Sequence, residues 1–185
     1  MLKEILEDAE HRMSQSVEHL RVELHKVRTG RANVDLLDHL RVDYYGSDVP
    51  IGQAANVSVA DARTLVVQPW EKTMVQPIEK CILESDLGLN PNTSGTTIRI
   101  ILPPLTEERR KELTKVVHAE GEHAKIAIRN VRRDANHHAK DLLKEKEITE
   151  DDERRAEGDV QQLTDRFVAQ VDEVVAAKDK ELMEI

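Results

Sequence analysis

Apolar positions recur along this chain in two rhythms. Leu2, Leu6, Ala9, Met13, Val17, Leu20, Leu24 and Val27 follow one another in steps of three or four, which lays them in one stripe along a helix. That stripe stops at Thr29-Gly30, where a glycine suits a left-handed cap. The same rhythm returns after Pro103-Pro104-Leu105, in Leu113, Val117, Ala124, Ile128, Val131, Ala135 and Leu142. Thr106 is placed to cap this second helix, and Glu107 and Glu108 suit the positive end of its dipole. Gly121 falls within the stripe, where glycine costs roughly 1 kcal/mol against alanine but permits close packing. A third helix is expected from Thr149, with Glu150, Asp151 and Asp152 in its first turn and a stripe of Ala156, Val160, Leu163, Phe167, Val171, Val174 and Leu182. The second and third helices each approach or exceed about 30 residues, on the order of 50 Å. A lone amphipathic helix of that length cannot bury its own stripe. Three can bury one another, which predicts an up-down-up bundle.

Residues 31–104 follow a period of two instead. Leu40, Val42 and Tyr44 alternate with Arg41, Asp43 and Tyr45, as in a half-buried strand, and further strands are expected at 56–59, 64–68 and 96–102. Gly46-Ser47-Asp48, Ala60-Asp61-Ala62 and the run Asn90 to Gly95 read as turns between them. One short helix is expected with Pro77 in its first turn, Ile78, Cys81 and Ile82 on one side, and an end near Gly88. The organisation expected is therefore α+β: residues 1–29 and 106–185 form an antiparallel three-helix bundle, and residues 30–105 an inserted β/α/β domain. The chain crosses between them twice, at Gly30-Arg31 and at Pro103-Pro104. A double crossing restricts twist and favours a hinge with a preferred direction near 30 and 104.

Composition narrows the function. Four aromatic residues in 185 leave a core of aliphatic side chains, which suits narrow helix seams. A single cysteine, Cys81, excludes an internal disulfide and reads as a small buried hydrophobe. No apolar run of 18 residues and no signal peptide is visible, so the expected compartment is the cytoplasm, with no membrane partner. The net charge of −9 argues at first against nucleic acid, but the charge is segregated. Residues 125–146 hold seven bases against three acids, a net +4, whereas 147–185 hold five bases against thirteen acids, a net −8. A local patch decides where a phosphate can sit.

Catalytic and metal signatures are missing. Arg28-Thr29-Gly30-Arg31 is not a phosphate loop, and His118 and His123 lie five apart, on different helix faces. Nothing calls for a cofactor, a metal or an enzymatic reaction. The distinctive feature is the basic run. Lys125, Arg129, Arg132 and Asn136 share one helical face, with Arg133 and Lys140 on its shoulder. Its bland interpretation is a solvated face neutralised within the helix, Arg133 by Asp141 and Arg129 by Asp134. Three arginines in five residues favour phosphate, because the guanidinium is a planar fork. Arg132 is expected to be largely solvent-exposed. The segment lacks aromatic platforms for unstacked bases, so a nucleic acid would be met as structured backbone, by shape and charge.

Ile128-Arg129-Asn130-Val131-Arg132-Arg133-Asp134-Ala135-Asn136 closely resembles the central helix motif of ribosome recycling factors. Lys26-Val27-Arg28-Thr29-Gly30-Arg31-Ala32 resembles the end of that family's first helix and its hinge. Tyr44-Tyr45-Gly46, the run Ser85 to Pro91, the run Leu102 to Arg110 and the run Lys146 to Asp152 are similar as well, so the likeness spans the chain. The resemblance implies a roughly L-shaped monomer that binds large-subunit ribosomal RNA of the post-termination ribosome. It also implies work with elongation factor G and GTP hydrolysis to split the subunits and release mRNA, with no DNA partner and no nucleotide site of its own. It places Arg129 and Arg132 on the ribosome-contacting face, with Arg28 nearby; the helical pattern adds Lys125 and Arg133. The alternative is a non-enzymatic coiled-coil adaptor that binds protein helices through its apolar stripes.

Overall fold

The computed structural model describes residues 1–27 and 29–184. The chain divides into two compact units, Met1–Arg28 with Glu107–Glu184, and Thr29–Thr106.

The first unit is a bundle of α1 (Leu2–His25), α4 (Glu107–Lys144) and α5 (Glu150–Met183), each packed against both others. At about 1.5 Å per residue, α4 and α5 run for about 57 and 51 Å. The stripes meet inside. Ala9, Met13, Val17, Leu20 and Leu24 of α1 lie against Leu113, Val117, Gly121, Ala124, Ile128, Val131, Ala135 and Ala139 of α4, and against Ala156, Val160, Phe167 and Val171 of α5. In α5 the buried position beside Leu163 belongs to Thr164, whose hydroxyl donates to the Val160 carbonyl at 2.8 Å and so enters the core satisfied. Leu163 is only half-buried.

The helix ends follow local chemistry. Thr149 caps α5 through a reciprocal box: its hydroxyl accepts from the Asp152 N–H, and the Asp152 carboxylate accepts from the Thr149 N–H. The Thr149 N–H first, and the Thr149 hydroxyl second, stabilise the ionised Asp152 carboxylate and hold it below its ordinary value. At the end of α4, Glu147 N–H reaches the Leu142 carbonyl and Lys146 N–H the Leu143 carbonyl. This is a Schellman motif, with Lys146 at φ 61° where glycine is usual. The resulting five-residue loop makes α4 and α5 antiparallel neighbours. Helix α1 ends at His25 with Lys26 as its right-handed cap. Gly30, at φ 77°, is therefore not the cap of α1; it bends the chain farther on.

In the second unit, β1 (Arg41–Tyr44) and β2 (Ser47–Pro50) form a hairpin, followed by a single helical turn, α2 (Ile51–Ala54). Strands β3 (Ala55–Asp61), β4 (Thr64–Pro69), β5 (Pro91–Ser94) and β6 (Thr97–Ile101) form an antiparallel sheet in the order β3-β4-β6-β5. Helix α3 (Val75–Glu84) covers it. Leu65, Val67, Ile78, Ile82, Ile98 and Ile100 make up its buried centre. The expected turns at 46–48 and 90–95 prove to be partly strand. Ser47 and Asp48 pair with Tyr44 and Asp43, and β5 begins at Pro91. Proline is tolerated there because β5 is a sheet edge. Helix α3 stops at Glu84, short of Gly88, because Ser85 turns extended (ψ 158°) and its hydroxyl donates to the Ile82 carbonyl at 2.6 Å.

Candidate nucleic-acid interface

Burial of the Ala124, Ile128, Val131, Ala135 and Ala139 stripe turns the opposite face of α4 to solvent. Arg129, Arg133, Lys140 and Lys144 are exposed there. The acids that could neutralise the arginines are engaged elsewhere. Asp134 pairs across the bundle with Arg12 of α1 at 2.9 Å, and Asp141 faces His137 at 3.4 Å. The intrahelical pairs of the bland interpretation, Arg129 with Asp134 and Arg133 with Asp141, do not form among the described residues. Among the described residues Arg133 donates to the Asn130 carboxamide oxygen, at 3.4 Å.

The flank of this face toward α5 is less open than the helical pattern suggested. Arg132 is half-buried rather than largely exposed, and donates to Gln161 Oε1 of α5 at 3.4 Å. Lys125 keeps 19 % of its side chain exposed, with its ammonium 2.6 Å from Asp172 of α5 and 3.8 Å from Glu122. Asn136 is half-buried, its carboxamide oxygen enclosed and without a hydrogen-bond partner among the described residues. Steps of three and four put these side chains on one helical face. The antiparallel register of α5, which decides what they touch, is not a property of α4 alone. The structure thus brings Arg129, Arg132 and Arg133 together without an ion pair among the described residues, and ties Lys125 into the bundle. Arg28 lies outside the described residues.

The crossing segments belong to the second unit. Arg31, Pro103 and Pro104 are exposed. Gly30 has left-handed backbone, and a β-carbon there would stand 3.0 Å from Leu105 Cγ. The chain is pinned just inside both crossings by one turn: Ala32 N–H donates to the Ala62 carbonyl and Leu102 N–H to the Arg63 carbonyl, both at 2.7 Å.

Among the described residues no group of three or more His, Cys, Asp or Glu side chains could hold a metal ion, and no helix is long and apolar enough to cross a membrane.

The sequence profile of the ribosome recycling factor family matches residues 20–183. The chain belongs to that family. The ribosome-recycling factor of Legionella pneumophila (strain Corby) is 60% identical over 185 residues, all of both chains, and that of Thioalkalivibrio sulfidiphilus 61% over the same length. A solution structure of the ribosome recycling factor superposes with a TM-score of 0.74 at 41% identity, covering 100% of this chain and 98% of the other. A chain from a structure of the T. thermophilus ribosome recycling factor and the E. coli elongation factor G bound to the E. coli post-termination complex gives 0.64 at 46% identity, covering 99% of both. As in the family, long packed helices are joined to a small antiparallel-sheet unit in an α+β fold.

Proposed function

We propose that this recycling factor binds the post-termination ribosome as a cytoplasmic monomer, with the outer face of α4 against large-subunit ribosomal RNA. With elongation factor G and GTP it promotes splitting of the subunits and release of the mRNA. The RNA-facing residues are Arg129, Arg132 and Arg133, together with Arg28. Lys125 contributes field more than contact, given its pair with Asp172. The factor does no bond-making chemistry of its own; it binds, and the GTPase supplies the energy.

The observation that carries the reading is that Arg129, Arg132 and Arg133 form no ion pair among the described residues, the nearby Asp134 pairing instead with Arg12. An arginine left unpaired at a surface keeps its fork for phosphate. The adaptor alternative loses its basis, because the apolar stripes it would offer to a partner are buried against each other.

The inserted unit is proposed to move about Gly30, Arg31, Pro103 and Pro104, so that residues 1–29 with 106–185 bind while 30–105 swings. The two hydrogen bonds at Ala32 and Leu102 support this, since they confine bending to the few residues beyond them.

Co-sedimentation with ribosomes at two salt concentrations tests the interface. Removing Arg129 should cost about 1.5–3 kcal/mol if it makes a charge-assisted contact, and should flatten the salt dependence by about 0.7–0.9 in log–log slope. Binding by Arg129→Ala and Arg133→Ala equal to the parent at both salts would reject the α4 face as the RNA contact.

A further inference from the structure

Three residues of α4 facing α5 are spaced by seven: His118, Lys125 and Arg132. Three aspartates of α5 run antiparallel to them with the same spacing: Asp179, Asp172 and Asp165. The first two rungs close directly. His118 Nε2 lies 2.6 Å from Asp179 Oδ2, and Lys125 Nζ lies 2.6 Å from Asp172 Oδ1. The third does not close. Arg132 Nη1 donates to Gln161 Oε1 at 3.4 Å, and Gln161 Nε2 donates to Asp165 Oδ1 at 2.8 Å. Among the described residues Arg132 has no ion pair.

The difference between the rungs lies one turn before each aspartate. Val175 precedes Asp179 and Val168 precedes Asp172, and neither can hydrogen-bond. Gln161 precedes Asp165. A carboxamide has an acceptor for the guanidinium and a donor for the carboxylate, so it can occupy both at once and stand between them. It carries no charge, so it orients Arg132 without neutralising it.

We propose that Gln161 is a positioning residue for ribosome binding: its amide intercepts the Arg132–Asp165 pair and keeps the guanidinium available to RNA phosphate. This rests on the assignment of Arg132 to the RNA contact made above. Lys125 shows the outcome without such an amide, an ammonium held by the opposite helix.

The test measures ribosome affinity of the full-length protein over a range of salt, with a thermal melt of each variant. Gln161→Leu places an apolar side chain where the other rungs have valine, and Gln161→Ser keeps polarity but is too short to bridge. Each should let Asp165 capture Arg132 and weaken binding about two- to fivefold, the occupancy an exposed ion pair commands, with a shallower salt dependence. Adding Asp165→Asn to either variant should restore both affinity and slope. A purely structural role for Gln161 would not be rescued by neutralising Asp165. Parent-like binding by both Gln161 variants, or no recovery in double variants that melt normally, would overturn the proposal. Arg132→Ala separates the layers. If it binds like the parent, the RNA-contact assignment fails; if it weakens binding while the Gln161 variants do not, only the role of Gln161 fails.

Discussion

Replacing Gly121 by alanine sets two effects of opposite sign against each other. In the middle of a long helix, alanine is worth about 1 kcal/mol more than glycine. Gly121 is buried in the seam with α5, however, and a methyl built on it would lie 2.7 Å from Val175 Cγ2 and 3.9 Å from Val171 Cγ1. Carbon atoms prefer about 3.5–4.0 Å, so roughly 1 Å must be found. Val175 is β-branched with a stiff χ1, so the relief comes from an unfavourable rotamer or from α5 backing away. Overpacking of this kind costs about 1–3 kcal/mol. The difference predicts a net destabilisation of about 0–2 kcal/mol, or a melting temperature lower by about 2–4 °C for each kcal/mol lost. Urea unfolding followed by helical circular dichroism should be run for Gly121→Ala, Val175→Ala and the double variant. In the Val175→Ala background the clash is gone and the propensity gain remains, so Gly121→Ala should there stabilise by about 1 kcal/mol. A gain in stability in the parent, or two strictly additive changes, would refute the close-approach account of this glycine.

Other consequences follow from local geometry. Lys146→Gly should stabilise the bundle by about 1–2 kcal/mol in urea unfolding, since it removes a side chain from left-handed backbone. Gly30→Ala, which meets both left-handed backbone and Leu105, should destabilise the inserted unit in hydrogen exchange by about 1–2 kcal/mol. The two tyrosines of the chain share Glu71 through their hydroxyls, and those hydrogen bonds push both phenols above their ordinary value. Absorbance titration should therefore find both ionising above about 10, and Glu71→Gln should bring them down. Asp152 is held below its ordinary value, so the capping box contributes above about pH 3.9 and is lost as pH falls through the lowered value. Thr149→Ala removes the hydroxyl and keeps the N–H, so it should raise the Asp152 carboxyl only part of the way in an NMR titration; a full return to the ordinary value would disprove the N–H contact.

The bundle was legible because each stripe carries its own period and the last helix its own start signal. Thr149 followed by Asp152 marks the α5 boundary in the residues themselves. Where a structure depends on pairing between distant segments, the pattern says less. Strand β5 is Pro91-Asn92-Thr93-Ser94, a turn by composition, and becomes a strand because β6 offers an unpaired edge. Strand β2 likewise needs β1. The end of α1 was placed at Gly30 on the strength of a glycine, while the helix stops at His25. At the candidate interface, the shared face of Arg129, Arg132 and Arg133 was visible from spacing. The half-burial of Arg132 and the capture of Lys125 by Asp172 were not, because both depend on the register of α5. Aligning α4 against α5 in antiparallel register, with basic and acidic residues both recurring every seven, is the signal that could have found them.

The central claim is that this chain recycles ribosomes. Light scattering of post-termination ribosomes mixed with the protein, elongation factor G and GTP tests it most directly. The account predicts a fall in scattering as subunits separate. The fall should require all three components and should be slowed when Arg129, Arg132 and Arg133 are replaced together by alanine in a protein that still melts normally. Scattering that stays constant with the folded parent protein, elongation factor G and GTP all present would contradict it.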